Sequence, residues 1–192
     1  MKINNFDFYT IDINYIEYLH NYDQQVYYNE NNSNYKNKPY IGIMTKIGKY
    51  NYFIPLTSAK PNHLNLKNNG TYHILIQEQL KRKQIKESTD IFKTIKLDLD
   101  NHDNDIVKKV YSLINFKKSI PVPEGFFNRL IINGHKDEDL LRIEFNFCLK
   151  KKDTILKKLN YVLREQDLTK TILPAQCNYK LLEQLCDNYK KS

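Results

Sequence analysis

The sequence predicts an α+β fold: a small, strongly bent antiparallel sheet or barrel, with a long helix and a C-terminal helix packed on it. Three observations carry this. Two β-rich runs, Tyr40 to Ile47 and Tyr50 to Leu56, flank the dipeptide Gly48-Lys49. From Asp137 onward the apolar residues Leu141, Phe145, Cys148, Ile155, Leu159 and Val162 recur at steps of alternating three and four, or of seven. No Gly/Ser or Pro linker interrupts the chain. The 192 residues therefore suit one domain, with 1–132 mainly β plus a short helix and 133–192 a helical elaboration.

Phe6 to Ile11 reads as a strand. Asp12 then caps a helix over Asn14 to Gln24, with Tyr15, Tyr18, Leu19 and Tyr22 on one face. Tyr27 to Lys38 is Asn-rich and polar, and reads as a loop. Gly48-Lys49 gives a two-residue hairpin turn with Gly at its first central position. Such strand–turn–strand spacing suits SH3-like or other small barrels. Thr57 to Gly70 is turn-rich. Tyr72 to Lys86 fits either a helix or a strand followed by a basic helix. Val107 to Val122 reads as a strand, and Phe126 to Ile132 as a shorter one. The seam from Asp137 implies one long helix, in which Lys152 is the polar intruder; the acids Asp137, Glu138 and Asp139 sit where the helix dipole favours them. Pro174 breaks the chain, and Asn178 caps a last helix bearing Leu181, Leu182 and Leu185.

The net charge is +8, which favours polyanionic partners, nucleic acid first and an anionic membrane surface second. A solvated basic surface fits the charge equally well. The N-terminus has no signal-peptide apolar region, and no run is long and apolar enough to span a bilayer. Cys148, Cys177 and Cys186 are odd in number and widely spaced, without Cys-x-x-Cys or His-x-x-x-His spacing. That argues against a zinc site or disulfide framework and for a reduced, cytoplasmic protein with no metal or cofactor.

The chemistry-bearing residues gather around the hairpin. If it forms, Lys36 and Lys38, entering its first strand, meet Thr57, Ser58 and Lys60 leaving its second, with Tyr35 and His63 nearby. Cations and hydroxyl donors converging on a phosphate are what RNA cleavage by its own 2′-OH requires, since they stabilise the charge that grows on phosphorus. A Lys among other Lys loses its proton more easily and can serve as a base. Tyr35 can stack on a nucleobase. The plainer readings stand beside these: Thr-Ser as a turn, Lys36 and Lys38 as solvated charges, His63 as a surface or core histidine, Gly42 as a bulge or close backbone approach. Lys81, Arg82 and Lys83 form a patch able to hold a phosphate backbone or simply a wet face. The run Asp98 to Asp105 lacks the central Gly and terminal Glu of a calcium loop, and reads as a solvated acidic loop.

These blocks resemble the ToxN/AbiQ family, the endoribonuclease toxins of type III toxin–antitoxin and phage-abortive systems. The similarity begins at Phe8-Tyr9-Thr-Ile, Tyr15-Ile-x-Tyr-Leu and Asp23-x-x-Val26. It is sharpest at Lys38-Pro-Tyr-Ile-Gly-Ile43 and Ile54-Pro-Leu-Thr-Ser-x-Lys60. It recurs at Leu113-Ile-Asn-Phe, Ile120-Pro-Val and Cys177-Asn-Tyr-x-Leu-Leu-Glu183. The resemblance implies a compact SH3-like barrel of the MazF/CcdB type with added helices. It implies metal-independent cleavage of cellular or phage RNA, leaving 2′,3′-cyclic phosphate and 5′-hydroxyl ends. It further implies inhibition by a tandem-repeat pseudoknot RNA antitoxin in a closed protein–RNA assembly. The family's site residues match Lys38, Thr57, Ser58 and Lys60, and match Tyr35 if one residue is deleted here. Ala59 stands where many members have Pro, and Tyr72 to Asp105 has no clear counterpart. A noncatalytic RNA- or DNA-binding barrel and a protein-interaction module remain the competing readings.

Overall fold

The structure, a computed structural model, describes residues 6–28 and 41–189. It divides into two compact units, Met1–Leu56 with Asn115–Ser192, and Thr57–Ile114. The Asn-rich segment with Tyr35, Lys36 and Lys38 lies outside the described residues.

In the first unit, β1 (Phe8–Ile11) pairs antiparallel with β2 (Ile41–Ile47), Tyr9 facing Gly42. The hairpin forms as the sequence predicts: β2 pairs with β3 (Tyr50–Ser58) from Gly42 opposite Pro55 to Ile47 opposite Tyr50. Gly48 takes φ +60 and Lys49 does not turn positive, the pattern of a type II′ turn, which matches strand twist. Helix α1 (Ile13–Tyr22) starts at Asp12, whose carboxylate accepts the Asn14 and Tyr15 N–H groups at 2.8 and 3.4 Å. Its buried face is Tyr15, Ile16 and Leu19 rather than the expected tyrosine row, because Tyr22 is largely exposed.

The expected strand from Val107 to Val122 is broken. β6 (Ile106–Asn115) ends in a tight 3₁₀ turn at Phe116–Lys118, and β7 (Ile120–Val122) then pairs with β3. The turn buries the Phe116 ring completely, which a continued strand would not do. β8 (Phe127–Arg129) pairs, among the described residues, only with β1. Among the described residues the strand pairings stay open, so the expected closed barrel is not formed; the fold is α+β with an antiparallel sheet and four helices.

The single long helix is two. α2 (Glu138–Lys150) and α3 (Lys152–Thr169) meet at Lys151, whose φ −106 and ψ 11 leave the helical region. A straight helix would have carried Lys152 along the apolar seam. The break instead places its ammonium over the Phe6 ring, 5.5 Å from the centroid. α4 (Tyr179–Asn188) begins at Asn178, whose side chain accepts the Leu181 N–H. Gln166 on α3 joins these helices: its amide donates to Cys177 O at 2.9 Å and accepts from Tyr179 N–H at 2.8 Å. Phe8, Leu19, Ile43, Phe53, Ile54, Ile155, Leu159 and Leu182 are wholly buried here. The free cysteines Cys148, Cys177 and Cys186 are buried. No described helix is long and apolar enough to cross a membrane.

In the second unit, β6 pairs with both β4 (His73–Lys81) and β5 (Ile91–Lys96). Tyr72 to Lys86 is thus a strand followed by a 3₁₀ turn at Arg82–Gln84, not a basic helix. The consecutive apolar residues Ile74, Leu75 and Ile76 are all buried, as suits a covered strand. Leu75, Val110 and Leu113 form a core against which Ala59 and Leu64 pack. The acidic run is only partly solvated. Asp98 accepts the Asp100 and Asn101 N–H groups, while Asp105 is 1% exposed, accepts the Asp98 N–H at 2.7 Å and faces Arg82 at 3.9 Å. Among the described residues no group of three or more His, Cys, Asp or Glu is placed to hold a metal ion.

Candidate active site

The end of β3 delivers the candidate residues. Ala59 donates its N–H to Tyr111 O at 3.2 Å and packs on the core, so the backbone here is held. Ser58 and Lys60 stand two residues apart in extended backbone, Lys60 at φ −133 and ψ 155. Strand alternation sends their side chains to the side opposite Ala59. Both are exposed, and Thr57 is half-buried. Among the described residues, no hydrogen bond or ion pair engages the Thr57 and Ser58 hydroxyls or the Lys60 ammonium. Among the described residues the Ser58 hydroxyl and Lys60 ammonium thus stand uncommitted on one side of this short segment, and the Thr57 hydroxyl on the other.

A 3₁₀ turn, Pro61–Asn65, follows. Its His63 is 8% exposed. The His63 N–H donates to Lys60 O at 2.9 Å, and the Lys60 N–H donates to His63 Nδ1 at 3.2 Å. This reciprocal pair fixes the turn. Because Nδ1 accepts, the neutral ring carries its proton on Nε2. Burial, then the nearby charges of Lys60 and His73, push the His63 pKa below its ordinary value. The imidazole is therefore neutral at pH 7, a brace with one N–H left to donate.

The structure does not leave the Lys81–Arg82–Lys83 patch wholly open. Arg82 gives two hydrogen bonds to Glu87 Oε1, at 3.0 and 2.7 Å, and Lys81 reaches Asn104 at 3.4 Å. Lys83 is exposed without a partner among the described residues. A cavity of about 240 Å³ in the other unit is lined by Tyr52, Lys180, Glu183 and Arg164 among others. Three of its polar groups answer one another, Tyr52 OH donating to Glu183 at 2.8 Å and Lys180 lying 3.2 Å from the same carboxylate.

Sequence reading passed over Lys108. Its ammonium donates to Leu64 O at 3.4 Å, at the turn that bears His63, although 44 residues separate the two. The only sequence trace is a Lys-Lys pair inside an apolar strand.

An open antiparallel sheet with helices thus presents hydroxyl and cationic donors at a strand end, groups of the kind that bind phosphate. The family model of the toxin ToxN, of type III toxin–antitoxin systems, matches residues 7–187. The chain belongs to that family, as the motif resemblance anticipated. It is 28% identical over 194 residues to endoribonuclease ToxN of Pectobacterium atrosepticum, covering 96% of this chain and 94% of that protein. Among solved structures, it matches a chain from work on a processed non-coding RNA that regulates a bacterial antiviral system. That match has TM-score 0.68 and 26% identity, over 96% of this chain and 99% of the other. It also shares the fold of AbiQ, a lactococcal anti-phage endoribonuclease, with TM-score 0.70 and 21% identity over 98% and 100% of the two chains.

Proposed function

We propose that this protein is an endoribonuclease toxin that cuts RNA at the Thr57–His63 segment and is restrained by an RNA antitoxin. The observation that carries the reading is the uncommitted set of Thr57, Ser58 and Lys60 beside a turn locked by His63. Membership of the type III toxin family and the endoribonuclease relative support it.

The substrate's 2′-oxygen attacks phosphorus as it loses its proton, and the P–O5′ bond breaks as the leaving oxygen gains one. The products are a 2′,3′-cyclic phosphate and a 5′-hydroxyl. Ser58 hydrogen-bonds a non-bridging oxygen and Lys60 stabilises the charge that develops there, while Thr57 helps position the phosphate from the other side of the strand end. Lys38 supplies a second cation or the base and Tyr35 contacts a neighbouring nucleotide, in keeping with their match to the family motif; Lys36, two residues before Lys38, contacts the RNA beside them. His63 positions the Lys60 backbone and offers Nε2–H to the phosphate. In that tautomer it takes no proton through Nε2. Lys83 carries the outer contact of the Lys81–Lys83 patch, with Arg82 held by Glu87. No step in this scheme draws on a metal or cofactor.

The finer readings follow from this one. Residues 1–192 act as one toxin domain, since the family match at 7–187 spans both units. The antiparallel ladder of β1, β2 and β3 is an opened relative of the SH3-like barrel of compact toxins. The protein works in the cytoplasm, where its RNA substrates are and where free, buried thiols persist. A tandem-repeat pseudoknot RNA closes it into an inactive protein–RNA assembly, as an antiviral abortive system.

The test is to incubate the protein with mixed-sequence RNA in excess EDTA, beside Ser58→Ala, and to identify the product ends. Cyclic-phosphate ends from the wild type alone are expected. Intact RNA in both lanes, despite tight and salt-sensitive binding, would establish a noncatalytic RNA-binding protein instead.

A further inference from the structure

The β5–β6 ladder places Lys93 directly opposite Lys108. Like charges on facing strand positions repel and destabilise a sheet. Lys108 adds a desolvation cost, being only 8% exposed. The adjacent rung is built differently. There Lys109, opposite Phe92, meets the Asp90 carboxylate at 2.7 Å. An acid is thus supplied one position away, but none of the described carboxylates lies within ion-pair distance of Lys93 or Lys108.

The two amines differ in what holds them. Lys93 is exposed. Lys108 spends one long hydrogen bond, 3.4 Å, on Leu64 O, the residue after His63. An ammonium has three N–H donors, so two remain. A pair of facing cations with spare donors and no paired anion among the described residues suits an external one. Burial first, and the Lys93 charge second, lower the Lys108 pKa.

We propose that Lys93 and Lys108 form a second phosphate subsite, which holds a phosphodiester of the bound RNA beside the turn that carries His63. This rests on the reading of the protein as an RNA-cutting enzyme. It extends the site from the phosphate under attack to a neighbouring one along the strand. Its role is to bind and set register, not to act on the reacting atoms.

The test uses a 2′-O-methyl RNA, which lacks the attacking hydroxyl, and measures its Kd across a salt series for wild type, Lys93→Gln, Lys108→Met and Lys157→Gln. Each subsite variant should weaken binding by about three- to tenfold and make the log Kd against log salt slope shallower by about 0.7, the value for one single-strand phosphate. The double variant should lose little more than either single one, because both amines serve one phosphate. The KM for unmodified RNA should rise in step with the Kd in the subsite variants, while Lys157→Gln leaves it unchanged. Lys93→Gln alters an exposed side chain, so it decides the matter even if Lys108→Met fails to fold. Slopes equal to wild type, or losses no larger than those of Lys157→Gln on α3, would overturn the subsite while leaving a cleaving wild type intact. A wild type that binds with this Lys93-dependent slope but does not cut would instead remove the enzymatic reading and keep the subsite.

Discussion

Replacing Gly42 with Ala should be among the most damaging one-methyl changes in the chain. Gly42 faces Pro55 in the β2–β3 ladder, shortly before β3 reaches Thr57. A Cβ there would overlap the Ile54 carbonyl oxygen and lie 2.6 Å from Phe53 Cζ and 2.8 Å from Cε2. Ordinary contacts begin near 3.4 Å. Neither neighbour can yield: one is backbone, and the Phe53 ring is completely buried. The strands must separate, at a cost of about 3 kcal/mol, the upper end of overpacking. For a chain of this size each kcal/mol moves Tm by roughly 2–4 °C, so the midpoint should fall by roughly 6–12 °C. Gly48→Ala is the comparison. At Gly48 nothing lies within 4 Å of the added carbon, but φ is +60, so the cost is conformational alone, about 1 kcal/mol. Thermal and urea melts of both variants measure the difference. If Gly42→Ala melts no lower than Gly48→Ala, the close approach of β2 to β3 is wrong.

Three further outcomes follow. His63 has a depressed pKa, so the unfolded chain takes up its proton first as pH falls. Its contribution to stability is complete above about 6.5 and is lost as the pH drops through the lower folded-state value. Urea unfolding from pH 7.5 to 5 should therefore show a fall that His63→Asn flattens, and parallel curves would contradict it. Asp12→Ala removes the acceptor for two N–H groups of α1 and should cost about 1 kcal/mol by urea melt; an unchanged midpoint would count against the cap. Gln166→Leu strands the Cys177 carbonyl and the Tyr179 N–H in the interior. It should cost roughly 3 kcal/mol in the same assay, and a loss below about 0.5 kcal/mol would show those groups find other partners.

What could be read in advance was what is encoded locally. The hairpin showed itself through Gly48-Lys49 between apolar runs, and both caps through Asp12 and Asn178, because turn and cap chemistry depends on a few adjacent residues. The long-helix reading failed at Lys151 because Cys148 and Ile155 are seven apart, a spacing that passes over a break unnoticed. β5 went unread because Ile95 and the two lysines Lys93 and Lys96 are exposed, leaving no buried alternation to see. For the candidate site, the place of Ser58 and Lys60 at the outer end of the hairpin was legible from spacing. The bracing of His63 was not, since it depends on a turn geometry that Pro61 permits but does not specify. Lys108 and Lys93 were invisible, because only the register of β5 on β6 sets them opposite each other.

On the proposed reading, the Thr57–Lys60 segment acts on the transition state more than on binding. Single-turnover cleavage and RNA Kd, measured together on Ser58→Ala and Lys60→Ala, test it most directly. Cleavage should slow by at least about 10²-fold, as when a preorganised donor is lost, while Kd shifts by no more than about tenfold. Equal losses in rate and affinity, or cleavage at the wild-type rate, would contradict it.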